Sequence, residues 1–569
     1  MMIDARSIPS EETIETEVCI VGTGPAGVAL AREFIGQDFR VCLLESGGID
    51  PPNEDTKSLA EVETEGGFVP VTPDSRNRMF GGNSNYWAIK VDGDQLGLRH
   101  RPLDEVDFEQ RDWLPYSGWP FKRSHLVPYY ERAQEVFQLG PFAYEGSDWE
   151  DETRPQIPFG GDRITTRVFQ FSPGVAIYRK RRDEINRAHN ITTYLKATVV
   201  ELETDDTGKT VTRVRVACLD GNRFWVAAKI FILAVGGVGS AHLLLLANRI
   251  QKNGLGNQHD LVGRFFMDHP LVFGGYFIPS NPQLFNSTAL YDMRPINGLT
   301  VMGALSLTDE AIRREHLPNI SFNLFPRPKK IRRAQAALSL KALIKLRAFQ
   351  EGPQGALRHL NNVLTGMDDL ATSAYDKITR KPFPRWCNFS TGGWSYLQDN
   401  RDKVYESFEV LHQTEQFPHP DNRVVLSDQC DKLGIRKPKM QVRWHDEEIQ
   451  GIKRAQKVMA EEIARTGLGR FEIEDYGGTL ITGSPGTSHH LGTTRMSNDP
   501  KQGVVDEHCQ VHDVSNLFIA SSSVFPTGGY ANPTLTIAAL AIRLADWVKT
   551  LMNQSAVVMK ESEVNLTLK

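Results

Sequence analysis

Three groups of residues in this sequence have the types and spacing to do chemistry. The first is a pair of adjacent imidazoles, His489 and His490, followed by Leu491-Gly492. Histidine changes charge near neutral pH, so such a ring can take the proton of a hydroxyl group. Neighbours in an extended segment point to opposite faces, so only one of the two is expected to address a given site. The second is Asn532 in Tyr530-Ala531-Asn532-Pro533-Thr534, whose amide could orient an oxygen atom. Asn-Pro is also an ordinary turn and helix-start signal. The third is Gly22-Thr23-Gly24-Pro25-Ala26-Gly27, the GxGxxG spacing that lets a backbone turn tightly and approach a pyrophosphate closely.

The elements around the glycines suit that role. Residues 16–22 (TEVCIVG) form a β-rich run that breaks at a glycine, residues 25–34 are helix-compatible, and residues 39–45 (FRVCLLE) make a second strand. Strand, turn, helix and strand within about thirty residues form the βαβ unit of a dinucleotide-binding fold. The helix N-terminus offers free N–H groups to phosphates, and Glu45 ends the second strand where a ribose hydroxyl is held. The fingerprint alone does not separate FAD from NAD. A second glycine segment, Phe80-Gly81-Gly82-Asn83-Ser84-Asn85-Tyr86-Trp87, suits close approach of backbone and a small polar side chain to a flat ring, or a turn buried under a tryptophan.

Further on, TTYLKATVVELE, VTRVRVACLDG and NRFWVAAKIFILA read as a β-meander returning to a parallel sheet. Residues 263–483 change texture, with strands at 299–307 and 319–325, a helical insertion, and the strand-like YESFEVLHQTEQ. Residues 516–549 return to a strand, a Gly/Pro loop and an apolar helix at 535–548. The predicted fold is α/β. A discontinuous Rossmann-like cofactor domain takes residues 1–99, 188–266 and 484–556. An α+β substrate domain on a mostly antiparallel sheet takes residues 100–187 and 267–483, with a helical insertion at 327–380.

Composition narrows the class. A chain of 569 residues needs more than one core. Its net charge of -5 excludes an ordinary nucleic-acid binder. No apolar run reaches the roughly 20 residues of a membrane span. The acidic start MMIDARSIPSEETIETEVCIVG is unlike a secretory signal, and six scattered cysteines lack a CxxC pair, so a cytoplasmic location is expected. His508-Cys509-Gln510-Val511-His512 alternates through a strand-like segment instead of converging, so no metal site is expected. Residues 327–349 hold eight basic residues and no acid, with Leu340, Leu343, Ile344 and Leu346 as an apolar strip. That stretch reads as a lid helix packed on the substrate domain, or as a surface helix in peripheral contact with anionic lipid or an electron-accepting partner.

Several phrases together resemble the glucose–methanol–choline (GMC) oxidoreductase family: GTGPAG, LLESGG, FGGNSNYW, GNQHDLVGRFFMDHP, HHLGTTRM, GVVD, NLFIASSSVFPT and GGYANPTLTIAALAIRLAD. The likeness is strongest to the sugar-oxidising branch, with its pyranose oxidases and bacterial sugar dehydrogenases. It implies FAD, with Gly22, Gly24, Gly27, Glu45, Gly82, Asn83, Ser84, Val199, Ser522, Pro533 and Thr534 binding it. It implies that His489, in the family's His-x-apolar-Gly pattern, takes the hydroxyl proton while hydride leaves the carbon for flavin N5. His490 is then structural, and Asn532 is the second catalytic residue. The implied substrate is a sugar or other small-molecule alcohol, and the implied electron acceptor is oxygen or a redox carrier. A GMC enzyme for a non-sugar alcohol and a redox-inactive lyase or binding subunit are the alternatives.

Departures from the family refine this. Tyr86 stands where covalently flavinylated pyranose oxidases carry histidine, which implies non-covalent FAD. Ala88 replaces a threonine, and only Cys218 remains where related dehydrogenases hold an iron–sulfur cluster. Ser521 stands where many members have aspartate.

Overall fold

The computed structural model describes residues 1–65, 73–85, 89–91, 94–173, 176–219, 221–328, 331–350, 352–365, 367, 392–396, 400–474 and 487–567. Tyr86, Ala88 and, within the expected insertion at 327–380, residues 329–330, 351, 366 and 368–380 lie outside the described residues.

A six-stranded parallel sheet forms the centre of the first unit. Its order is Met2–Asp4, Ile191–Leu195, Val41–Glu45, Val18–Val21, Ile230–Leu233 and Leu517–Ile519. The central strands VCIV and VCLLE are buried along their whole length. Such continuous apolar runs are what a sheet covered on both faces demands. The helix Pro25–Glu33 starts with proline at its first turn and buries residues 26–31. Beside it runs the C-terminal helix Thr534–Thr567, in which Leu535, Ala538, Ala539, Ala541 and Ile542 are fully enclosed. The expected meander is present: Thr198–Thr204, Val211–Ala217 and Arg223–Ala227 pair antiparallel, and Thr13–Glu15 adds a parallel edge.

The second unit is built on a large antiparallel sheet, in which Leu271–Pro279, Tyr405–Thr414, Ile320–Pro328, Leu299–Leu307, Ile164–Pro173 and Asp94–His100 are successive neighbours. Two main apolar clusters follow, one around the parallel sheet and one around the antiparallel sheet. The helix Arg123–Phe137 buries Leu126, Tyr130 and Phe137 in the first cluster, although sequence grouped it with the substrate domain.

Two local expectations need correction. The segment around Cys509 is a series of turns and not a strand, with Cys509 at φ 65°. The His508 ring stacks on Trp547 at 4.1 Å, and His512 Nε2 pairs with the Ser497 carbonyl at 2.8 Å. Among the described residues no group of three potential metal ligands converges. In the basic stretch, Arg327 is buried and paired with Glu409, so it is no surface cation. Leu340, Ile344 and Leu346 face solvent instead of packing on the substrate domain.

Candidate active site

Where the two units meet, one cavity of about 540 Å³ runs from the glycine turn to the two C-terminal histidines. A cavity of this size suits a cofactor or small ligand. Gly22 turns at φ +102°, which side-chain-bearing residues rarely adopt. A Cβ on Gly27 would collide with the Gly22 carbonyl oxygen, so this glycine serves strand–helix packing and does not line the cavity. Gly24 is different. A Cβ there would meet no protein atom within 4 Å, and the position borders the cavity at the helix N-terminus. Gly82 packs against it, its virtual Cβ 3.2 Å from the Gly24 Cα.

Glu45 holds this turn closed. Its Oε2 accepts from the Thr23 N–H at 3.1 Å and from the Thr23 hydroxyl, and its Oε1 accepts from the Gly47 N–H at 2.8 Å. Asn83 accepts from the Asn77 N–H at 2.7 Å, and the Ser84 hydroxyl donates to the Gly81 carbonyl at 2.6 Å. The Ser522 hydroxyl donates to the His490 carbonyl at 2.6 Å. Glu45, Gly82, Asn83, Ser84, Val199, Ser522, Pro533 and Thr534 all border the cavity. Sequence reading missed Arg76 and Arg78, which also line it. Their guanidinium groups donate to neutral acceptors, the Ala60 carbonyl at 3.3 Å and the Ser46 hydroxyl at 2.8 Å. Burial holds Arg76 down to about 9. An open glycine backbone, a helix N-terminus and two cations fit the phosphates of a dinucleotide cofactor.

At the other end, Asn532 Nδ2 donates to His489 Nε2 at 3.1 Å. The amide is oriented by donors on its other side. Arg99 Nε at 3.2 Å and Gln413 Nε2 at 3.4 Å both donate to Asn532 Oδ1. Gln413 is itself fixed, because its Nε2 also donates to the Tyr530 carbonyl at 2.8 Å and its Oε1 accepts from Arg99. Burial, assisted by the nearby Arg99 charge, holds His489 well below the usual histidine range. The ring is therefore neutral at pH 7, as a proton acceptor must be. His490 also borders the cavity, and its ring packs near Phe266 at 5.8 Å.

His269 is a further residue that sequence reading did not single out. Its Nδ1 lies 3.0 Å from His489 Nδ1 and its Nε2 3.2 Å from the Gly528 carbonyl. The signal was present in the Met267-Asp268-His269-Pro270 phrase, but no spacing rule connects residue 269 to residue 489.

Residues 418–541 match the family model of the GMC oxidoreductase C-terminal region. The fructose dehydrogenase large subunit of Gluconobacter japonicus is 25% identical over 94% of this chain and 98% of its own. The 2-methyl-1,2-propanediol dehydrogenase of Mycolicibacterium austroafricanum is 24% identical over 94% of this chain and 95% of its own. A solved formate oxidase shares the fold, with a TM-score of 0.52 and 16% identity over 96% of this chain and 100% of that one.

Proposed function

We propose that this chain is an FAD-dependent GMC oxidoreductase acting on CH–OH donors, and that it oxidises a secondary hydroxyl of a sugar or glycoside to the ketone. When bound, FAD supplies the hydride acceptor. The observation that carries the reading is the His489–Asn532 pair facing the cavity. A substrate hydroxyl placed between the two groups donates its proton to His489 Nε2 and accepts from Asn532 Nδ2. Arg99 and Gln413 keep the amide N–H turned toward the substrate oxygen. Loss of the hydroxyl proton makes the carbon a better hydride donor, so holding a neutral imidazole there serves the reaction directly.

The fructose dehydrogenase and an oxidase of 6'''-hydroxyparomomycin C among the relatives support a sugar or glycoside substrate. The propanediol dehydrogenase supports a second reading, a small non-sugar alcohol. Anaerobic bleaching of the flavin by a panel of pyranosides and apolar alcohols tests the choice, with the oxidised position read by NMR. Bleaching by no alcohol would turn the reading to a redox-inactive lyase or binding subunit. Tyr86 supports FAD held without a covalent link, which release of the flavin on acid precipitation checks. Reoxidation in air against reoxidation by dyes separates oxygen from a redox carrier as acceptor.

No helix among the described residues is long and apolar enough to cross a membrane. Among the described residues, the thiols of Cys19, Cys42, Cys430 and Cys509 form no disulfide, which supports a cytoplasmic setting. Solvent-facing Ile344 and Leu346 beside Lys341, Lys345 and Arg347 support peripheral contact through 327–349 with anionic lipid, and flotation with vesicles containing phosphatidylglycerol tests it.

A further inference from the structure

We infer that His269 is a positioning residue for the catalytic base: it fixes His489 as the Nδ1–H tautomer and so leaves the lone pair of Nε2 facing the substrate. The inference rests on the role proposed above for His489.

The argument is a chain of donors and acceptors that starts at a carbonyl. The Gly528 carbonyl can only accept, so His269 Nε2, 3.2 Å away, carries the hydrogen. Burial holds His269 down to about 3, so it is neutral at pH 7 and its Nδ1 is a bare acceptor. Two bare nitrogens would repel at 3.0 Å, hence His489 Nδ1 carries the proton between the rings. His489 is neutral too, so its Nε2 has no proton and accepts from Asn532 Nδ2 at 3.1 Å. The opposite tautomer would set N–H against N–H at that position.

Asp268 makes the arrangement rigid. One carboxylate oxygen, Oδ1, accepts from the His269 N–H at 2.7 Å, the His489 N–H at 3.0 Å and the Thr487 hydroxyl. A reciprocal backbone pair follows, Met267 N–H to Leu491 O at 3.2 Å and Leu491 N–H to Met267 O at 2.9 Å. The two histidines thus share one anchor although 220 residues separate them in the chain. When Nε2 takes the hydroxyl proton, the O–H bond breaks, an N–H bond forms, and the imidazolium keeps its Nδ1–H on His269. A partner fixed in this way orients the ring and stabilises its charged form, the service a buried carboxylate gives the histidine of a catalytic triad.

The experiment compares three FAD-loaded proteins: wild type, His269→Leu and His269→Asn. Leucine removes the acceptor. Asparagine places an oxygen where Nδ1 stood, steered oxygen-first because Asn532 demands a bare Nε2. His269→Leu should lower the rate of anaerobic flavin reduction at saturating alcohol by about 100-fold or more, and His269→Asn should restore most of it. Independently of turnover, ring 15N shifts in histidine-labelled protein should show His489 as the Nδ1–H tautomer in wild type and His269→Asn, and mixed in His269→Leu. An unchanged tautomer in a folded His269→Leu protein, or equal loss in both variants, overturns the inference. If wild type reacts with no alcohol but the tautomers behave as stated, it is the proposed function that fails.

Discussion

Asn532 Nδ2 stands 3.1 Å from His489 Nε2, and the two residues belong to segments 43 positions apart, on either side of the last strand of the parallel sheet. That pairing sets the first expectation. His489→Ala should slow anaerobic flavin reduction by about 100- to 10,000-fold, the usual contribution of a positioned base. Flavin content should stay at the wild-type level, because the glycine turn, Arg76 and Arg78 are left unchanged. Stopped-flow absorbance gives both numbers.

Gln413 touches Asn532 without being part of the proposed proton transfer. Its Nε2 supports Asn532 Oδ1 at 3.4 Å while holding the Tyr530 carbonyl at 2.8 Å. Gln413→Met should let the amide turn and cost about tenfold in kcat, equal to about one hydrogen bond. A change confined to KM would speak for direct substrate binding instead.

The glycines 24 and 27 make opposite predictions. An alanine Cβ at 27 overlaps the Gly22 carbonyl oxygen, so Gly27→Ala should lower stability by about 1–3 kcal/mol as overpacking does. An alanine at 24 meets no protein atom, so Gly24→Ala should fold normally yet bind FAD poorly. Thermal unfolding of the apoproteins and flavin titration separate the two effects.

Buried histidines tie stability to pH. Burial holds both His100 and His412 down to about 3. Unfolded, each titrates near 6.5, so between these values the unfolded chain binds more protons and stability falls with falling pH. Each should cost about 2 kcal/mol at pH 5 relative to pH 7. Glu448, raised by burial to about 8, works in the opposite sense, favouring the folded state at low pH. His412→Leu should therefore flatten the drop in Tm between pH 7 and pH 5 relative to wild type, and an unchanged slope would refute the assignment.

The sequence by itself determined what depends on neighbours in the chain. VCIV, GTGPAG and VCLLE give strand, turn and helix because apolar runs, glycine freedom and a helix-starting proline act within a few residues. Residue types alone marked the His489–His490 pair and left Asn532 an ordinary turn signal; the choice of His489 and the role of Asn532 came from the family resemblance. Local logic failed for the Cys509 segment, where alternating residue types sit in turns, and for Leu340 and Ile344, whose helical spacing does not say which surface covers them. Only the tertiary structure decided what depends on register between distant strands. Arg99, Gln413 and His269 reach the site from the antiparallel unit, and their roles follow from hydrogen bonds no spacing encodes. Which nitrogen of His489 is bare is the clearest instance. It is set by a carbonyl at Gly528, passed through a second ring, and exists only once the two units have closed on each other.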